Sequence, residues 1–212
     1  MLENKVYVFD DLLPRNYQDY LLNLFYSIPF NLNSNNSVGY NLDQKSDWEK
    51  FVSLNNIQDN IYDLPQMTST FVNEGRVTSD MFFYFNKLVP LYNAIQSYFN
   101  YTFDYNIIRC KANLKHQVPE LYLDKFNPPH IDAKFKHWVL IYYINNSDGD
   151  TIIFNEQYNP NTVTSNFSID QKISPKQGRL IFFPGHKFHS ANFPIKSPTR
   201  LILNNVLEIS PL

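Results

Sequence analysis

Residues 138–144 read Trp-Val-Leu-Ile-Tyr-Tyr-Ile, the longest apolar run in the chain, and they set the fold class. A short run rich in β-branched and aromatic side chains is typical of a buried strand and is too short to cross a bilayer. From residue 103 onward, similar runs alternate with turns that contain Pro, Gly, Asn and Asp. Strands are predicted at residues 105–114, 137–144, 151–154, 166–173, 179–183, 188–192 and 200–209. This spacing predicts a β-sandwich or jelly-roll barrel.

The first half of the chain has a mixed pattern. Tyr17, Leu21, Leu24 and Phe25 recur at helical spacing and predict an amphipathic helix. The other predicted elements are a strand at 6–9, a polar loop at 31–46 and a second, longer helix from Thr78-Ser79-Asp80 to about residue 99.

No linker or internal repeat divides the chain, so we expect a single domain over residues 1–212. Its fold class is predicted to be mainly β with flanking helices. Helical support is expected mainly in residues 1–104, and the jelly-roll core at about 105–210.

The composition excludes several classes of protein. Hydrophobic residues make up 43% and charged residues 18%, which is typical of a folded domain. The formal charge of −2 gives no electrostatic footprint for binding nucleic acid, so we expect no nucleic-acid partner. With 5 Gly, the chain has no GxGxxG or GxxxxGK[ST] phosphate loop, and its single Cys excludes an intramolecular disulfide and a Cys-based zinc site.

The first residues, Met-Leu-Glu-Asn-Lys, lack the basic and apolar segments of a signal peptide. We therefore expect a cytoplasmic setting and no membrane partner.

The residues that indicate chemistry begin with Pro-Pro-His-Ile-Asp at 128–132. On an extended backbone, His130 and Asp132 project to the same face, which gives two of the three ligands of a facial metal triad. His189 is the candidate third ligand, and His186 competes for that position. Two His and one carboxylate with open positions suit non-haem Fe(II), whereas a structural zinc site would need a fourth ligand.

Arg200 opens the apolar run Leu-Ile-Leu at 201–203. A guanidinium entering a buried strand is costly unless it meets an anion, and its planar fork suits a carboxylate. The position therefore suggests a buried acidic ligand, or alternatively an Arg exposed at the strand mouth or paired with a protein carboxylate.

Taken together, these pieces resemble the Fe(II)/2-oxoglutarate-dependent dioxygenases, most closely the prolyl-4-hydroxylase-like branch with its small phage members. The resemblance covers roughly residues 105–206 and includes 109–114, 129–132, 140–145, 148–154, 175–184, His189-Ser190, Arg200 and Asn204.

The resemblance implies a double-stranded β-helix in which His130, Asp132 and His189 hold Fe(II). It implies that Arg200 binds the distal carboxylate of the co-substrate 2-oxoglutarate. Further contacts to the co-substrate or its pocket are implied for Tyr143, Tyr122, Asn113 and Asn204.

The implied activity is hydroxylation of an unactivated C–H bond by O2, with release of succinate and CO2 and possible support from ascorbate. The expected prime substrate is a protein side chain such as proline. A small molecule, a nucleobase or a non-catalytic jelly-roll binding module remain alternatives. Similarity to phage members also raises a phage origin, with action in the host cell.

Overall fold

The computed structural model describes residues 2–33, 60–162, 164 and 166–212. Within these ranges, two antiparallel sheets face each other and form the predicted jelly roll. The strands are β1 Tyr7–Phe9, β2 Asn31–Asn33, β3 Gln66–Asn73, β4 Arg76–Val77, β5 Phe103–His116, β6 Trp138–Tyr143, β7 Thr151–Gln157, β8 Ile169–Ile173, β9 Leu180–Pro184, β10 Lys187–Ala191 and β11 Thr199–Pro211. The α-helices are α1 Arg15–Ser27, α2 Phe82–Phe85 and α3 Val89–Tyr98, with 3-10 turns at Ser79–Met81, Asn86–Leu88 and Glu120–Tyr122.

The larger sheet has the strand order β1-β9-β6-β11-β5-β3-β2, with β4 paired to β3. The smaller sheet has the order β10-β7-β8. The space between the two sheets is where the candidate site lies, because β5 and β11 present one face to β7 and β10.

Strand β6 is apolar throughout because both of its faces are buried. Val139, Ile141 and Tyr143 pack between the sheets, against residues such as Ile153 of β7. The alternate residues Leu140 and Tyr142 face the helices on the other side of the large sheet. The alternation of side chains along a strand therefore places Tyr143 on the inner face and Tyr142 on the outer face, as its position in the run predicts.

The helices cover the outer face of the large sheet. Leu21 and Phe25 of α1 are fully buried, and the ring of Phe25 packs against that of Phe71 on β3, with 5.7 Å between centroids. Leu91 and Ile95 of α3 join the same core. This helical layer supports the sheet that carries most of the candidate site.

The predicted helix from residue 78 to about 99 is wrong as a single helix. It is divided into the turn Ser79–Met81, α2, the turn Asn86–Leu88 and α3. Pro90 lies in the first turn of α3. Proline has no N–H to donate to the preceding turn and its ring restricts the residue before it, so the helix restarts there.

Strand β3 was not anticipated from the sequence. Its polar residues obscure a strand that is mostly buried, with Phe71 and Val72 in the core. The loop predicted at residues 31–46 begins instead with β2, and residues 34–46 lie outside the described part of the chain. The first half therefore contributes strands to the large sheet as well as helices.

Among the described residues, no helix has the length and apolar character needed to span a membrane.

Candidate active site

The fold brings His130, Asp132 and His189 together. One potential ligand atom from each lies within 4.8 Å of the others. The backbones of His130 and His189 form an isolated antiparallel bridge in which each N–H donates to the other's carbonyl at 3.0 Å. This bridge fixes the segment 128–132 against β10, so residues separated by more than fifty positions meet in space.

Backbone carbonyls orient both imidazoles. Nδ1 of His130 lies 3.0 Å from the carbonyl oxygen of Pro128, and Nδ1 of His189 lies 3.3 Å from that of Lys187. A carbonyl oxygen can only accept, so each Nδ1 carries the proton and each Nε2 keeps its lone pair. The buried Nε2 of His189 has no hydrogen-bond partner among the described residues. Burial and the neighbouring His189 lower the pKa of His130 to about 4, which keeps that imidazole neutral.

Asp132 is held as a carboxylate by groups from the large sheet. Nη2 of Arg109 on β5 donates to Oδ1, and Nδ2 of Asn204 on β11 lies 3.3 Å from Oδ2. Burial by itself would raise the pKa of Asp132, but the charge of Arg109 opposes this effect and the pKa is held well below its usual range.

The donor set fits a divalent transition metal. It consists of two neutral imidazole nitrogens and one carboxylate oxygen, and it includes an unpartnered buried nitrogen. No fourth His, Cys, Asp or Glu of the described chain belongs to this group, and His186 and His137 lie outside it. Three protein ligands with open positions suit a non-haem Fe(II) centre better than a closed zinc site.

Arg200 is buried in the cavity that the three residues line. Its Nε donates to the carbonyl oxygen of Gly149 at 2.6 Å and its Nη2 to Oγ1 of Thr151 at 2.8 Å. A Cβ at position 149 would lie 2.9 Å from Cδ of Arg200, so only glycine allows this close approach. Both acceptors are neutral, and among the described residues Arg200 forms no ion pair. The guanidinium is thus held in place, but no carboxylate of the described residues balances its positive charge.

Lys115 lies directly opposite Arg200 in the pairing of β5 with β11. Lys115 is buried and lines the same cavity. Its ammonium donates to Oδ1 of Asn127 and lies over the ring of Phe193. Burial, followed by the charge of Arg200, lowers the pKa of Lys115 well below its usual value. Two cations at directly opposed positions repel each other, so the pair favours an anion between them.

Tyr143 acts on the cavity through Thr151. Its hydroxyl donates to Oγ1 of Thr151 at 2.6 Å, and Arg200 lies over its ring at 5.9 Å. Tyr143 itself does not line the cavity, whereas Thr151 does. Because Oγ1 of Thr151 accepts from both Tyr143 and Arg200, the threonine O–H is left to donate into the cavity. Burial raises the pKa of Tyr143 to about 12, so its phenol stays protonated.

Of the three remaining residues predicted from the sequence, two line the cavity and one does not. Asn113 and Asn204 line the cavity, and each has a buried Oδ1 without a partner among the described residues. Tyr122 is not brought to this cavity. It ends the turn Glu120–Tyr122, and its ring packs edge-on against Tyr62 and Phe193 at 5.3 and 5.9 Å.

Several cavity residues were missed as site residues from the sequence, namely Arg109, Lys111, Lys115 and Thr151. A usable signal exists on β5, where polar residues at 109, 111, 113 and 115 alternate with the buried Cys110, Ala112 and Leu114. This period of two places one polar stripe on a face that the apolar residues do not share.

No protein-family model and no curated protein matches the chain, but solved structures do. A prolyl hydroxylase from Trichoplax adhaerens, solved in complex with a hypoxia inducible factor peptide fragment, superposes with a TM-score of 0.56 at 14% identity, over 97% of this chain and 84% of that one. The epimerase SnoN of nogalamycin biosynthesis, in complex with Fe3+, α-ketoglutarate and nogalamycin RO, gives 0.58 at 9% identity over 98% and 81%. A 2OG-Fe(II) oxygenase family protein from Burkholderia pseudomallei gives 0.50 at 12% identity over 90% of each chain. The chain therefore has the fold of the Fe(II)/2-oxoglutarate oxygenases.

Proposed function

We propose that the protein is an Fe(II)- and 2-oxoglutarate-dependent dioxygenase that hydroxylates an unactivated C–H bond on a protein side chain such as proline. The observation that carries the proposal is the buried group His130, Asp132 and His189, in a cavity that also contains the unmatched cation Arg200. With Fe(II), 2-oxoglutarate and O2, a site of this kind supplies oxidation of a C–H bond coupled to conversion of 2-oxoglutarate into succinate and CO2.

The spacing of the cations supports binding of a dicarboxylate. Asn204, which contacts Asp132, and Arg200 lie on the same face of β11, four residues apart, which is roughly 13 Å of strand. A five-carbon dicarboxylate with one end at the triad and the other facing Arg200 fits this interval once the reach of the arginine side chain is counted. In the proposal, Lys115 and the hydroxyl of Thr151 complete the distal carboxylate site.

The protein's own residues would do three things. His130, Asp132 and His189 would hold the metal through Nε2, a carboxylate oxygen and Nε2. Arg109 and Asn204 would keep the carboxylate ionised and oriented. Ile141 and Ile202 would form the apolar wall of the cavity and exclude water from it. Tyr143 belongs to the proposal as a positioning residue for Thr151, and Asn113 as a lining residue. Tyr122 is left out of the set because its ring packs elsewhere.

A protein side chain is favoured as substrate because the similar prolyl hydroxylase is solved with a bound peptide fragment. A small molecule is the second candidate, because the similar epimerase is solved with nogalamycin RO. A cytoplasmic setting belongs to the proposal as a prediction from the sequence.

The test is formation of succinate and CO2 from 2-oxoglutarate in the presence of Fe(II), O2 and ascorbate. The assay follows the co-substrate, so it can be run without knowing the prime substrate. We expect wild-type protein to form succinate, His130→Ala to form none, and the matched control His186→Ala to equal the wild type. A non-catalytic binding module would give no succinate with any of the three proteins.

A further inference from the structure

We infer that the prime substrate carries an anionic group, a carboxylate or a phosphate, which binds the ammonium of Lys111 inside the cavity. This inference rests on the proposed function and names the chemical class of substrate for the same site. Lys111 lies on β5 and has no part in the proposed metal site or in the proposed site for the distal carboxylate of 2-oxoglutarate.

Lys111 lies beside the triad. It lines the cavity, and its backbone is paired directly with that of Asn204, whose Nδ2 lies 3.3 Å from Oδ2 of Asp132. An anion on Lys111 would therefore lie in the same cavity as the metal ligands. In an oxygenase, that is the region in which the reacting C–H bond must lie.

Within the described part of the chain, Lys111 has no partner of its own. No described residue accepts a hydrogen bond from its ammonium or pairs with it, and the side chain is only partly exposed. The nearest carboxylate, that of Asp132, already receives Arg109 and Asn204. Burial, followed by the charge of Arg109, lowers the pKa of Lys111 to about 8, although Asp132 acts in the opposite direction, so the ammonium is held in surroundings that disfavour its charge. An incoming anion would remove this cost.

The charge balance of the cavity supports the same conclusion. Its described lining residues include the four cations Arg109, Lys111, Lys115 and Arg200 but the single carboxylate Asp132. Fe(II) and the dianion of 2-oxoglutarate bring equal and opposite charge, so loading the site leaves the excess unchanged. Arg109 is matched by Asp132, and the distal carboxylate of the co-substrate would be shared by Arg200 and Lys115. Lys111 is the cation to which no anion is assigned.

The experiment uses the anaerobic complex of the protein with Fe(II) and 2-oxoglutarate, in which no turnover occurs. Inorganic phosphate and acetate are titrated into it separately, and their affinities are measured by calorimetry. We expect saturable binding to the wild type and at least tenfold weaker binding to Lys111→Met. Lys111→Arg should retain binding because it keeps the charge. Lys172→Met, which removes an exposed lysine on β8, is the matched control and should equal the wild type.

The two probes separate the two sources of negative charge. Tighter phosphate binding assigns a phosphorylated substrate, and tighter acetate binding assigns a carboxylate. The inference is overturned if neither anion binds the wild type, if Lys111→Met binds them as well as the wild type, or if only Lys115→Met loses them. In the same samples, the visible charge-transfer band of 2-oxoglutarate on Fe(II) reports co-substrate binding. Absence of that band in the wild type contradicts the proposed function. A normal band in both proteins, with Lys111→Met binding the anions as tightly as the wild type, contradicts only this inference.

Discussion

Arg109 binds one carboxylate oxygen of Asp132 and leaves the other turned toward His189. Oδ1 accepts from Arg109, while Oδ2 lies 3.5 Å from Nε2 of His189 and 3.3 Å from Nδ2 of Asn204. The large sheet thereby holds the carboxylate while Oδ2 still faces the imidazole. Arg109 is a positioning residue in this arrangement, because it acts on the metal site through Asp132.

Replacement of Arg109 should weaken metal binding without removing a ligand. We expect Arg109→Met to lower Fe(II) affinity by about 10- to 100-fold, because groups that hydrogen-bond to a ligating carboxylate have effects of this size. Arg109→Lys should restore part of the affinity. Anaerobic calorimetry with Fe(II) measures both. An unchanged affinity in Arg109→Met would show that Asp132 is positioned by other groups.

A substitution at Gly149 can test whether the position of Arg200 matters, because it leaves the arginine itself unchanged. A Cβ at this position would meet Cδ of Arg200 at 2.9 Å and the backbone nitrogen of Pro194 at 3.1 Å. We expect Gly149→Ala to displace the guanidinium and to raise the KM for 2-oxoglutarate about tenfold or more, with a similar rise in Arg200→Met. Steady-state succinate formation measures this. A KM equal to that of the wild type in Arg200→Met would mean that the co-substrate carboxylate binds elsewhere.

Substitutions at Thr151 and Tyr143 should weaken the binding of 2-oxoglutarate to different extents, because only Thr151 lines the cavity. Thr151→Val removes a hydroxyl that can donate to the co-substrate, and we expect a rise of about tenfold in the dissociation constant of 2-oxoglutarate. Tyr143→Phe removes only the group that orients that hydroxyl, so its effect should be smaller. Equilibrium binding of 2-oxoglutarate to the anaerobic Fe(II) protein compares the two. A larger effect in Tyr143→Phe would reverse the assignment.

The metal-free protein should lose stability as the pH falls from 6.5 to about 4. His130 has a pKa of about 4 when folded and 6.5 as its ordinary value, so within this window the unfolded chain binds more protons than the folded protein. The free energy of unfolding therefore decreases with falling pH, by up to about 3 kcal/mol from this residue. Urea denaturation at pH 7 and pH 5 should show a smaller decrease in His130→Gln. Parallel curves for the two proteins would contradict the lowered pKa.

Helix α1 is expected to support the sheet and to take no part in chemistry. Phe25 is fully buried against Phe71. Phe25→Ala should reduce the free energy of unfolding by about 3–5 kcal/mol, while the KM for 2-oxoglutarate of the folded protein stays unchanged. Denaturant unfolding and succinate formation, measured below the unfolding transition, separate the two effects. A raised KM would show that the packing of α1 reaches the site.

Much of the second half could be predicted from the sequence because its strands are continuous apolar runs. The inner and outer faces of β6 follow from alternation alone, and the resemblance named the three residues that the structure groups. Strand β3 could not be predicted in the same way. Its Gln, Thr and Ser residues hide a strand whose burial depends on tertiary packing with β5.

The cations of β5 show the same limit within the site. Arg109, Lys111 and Lys115 look like solvent-facing residues of a strand when the partner is unknown. Local alternation places these residues on one face of β5, but it does not say what that face meets. The register places Lys115 opposite Arg200 and Lys111 opposite Asn204, and only this long-range pairing of β5 with β11 brings the polar face into the site. The position of Tyr122 likewise depends on how the turn Glu120–Tyr122 packs, which its distance in sequence from the metal motif does not determine.

In the proposed function, His130, Asp132 and His189 hold a ferrous ion to which a 2-oxo acid can bind. The most direct measurement is an anaerobic titration of 2-oxoglutarate into the Fe(II)-loaded protein, followed through the visible charge-transfer band of the chelate. We expect a saturable band in the wild type and in His186→Ala, and no band in His130→Ala or His189→Ala. A wild type without the band, or a band that survives loss of either histidine, would contradict it.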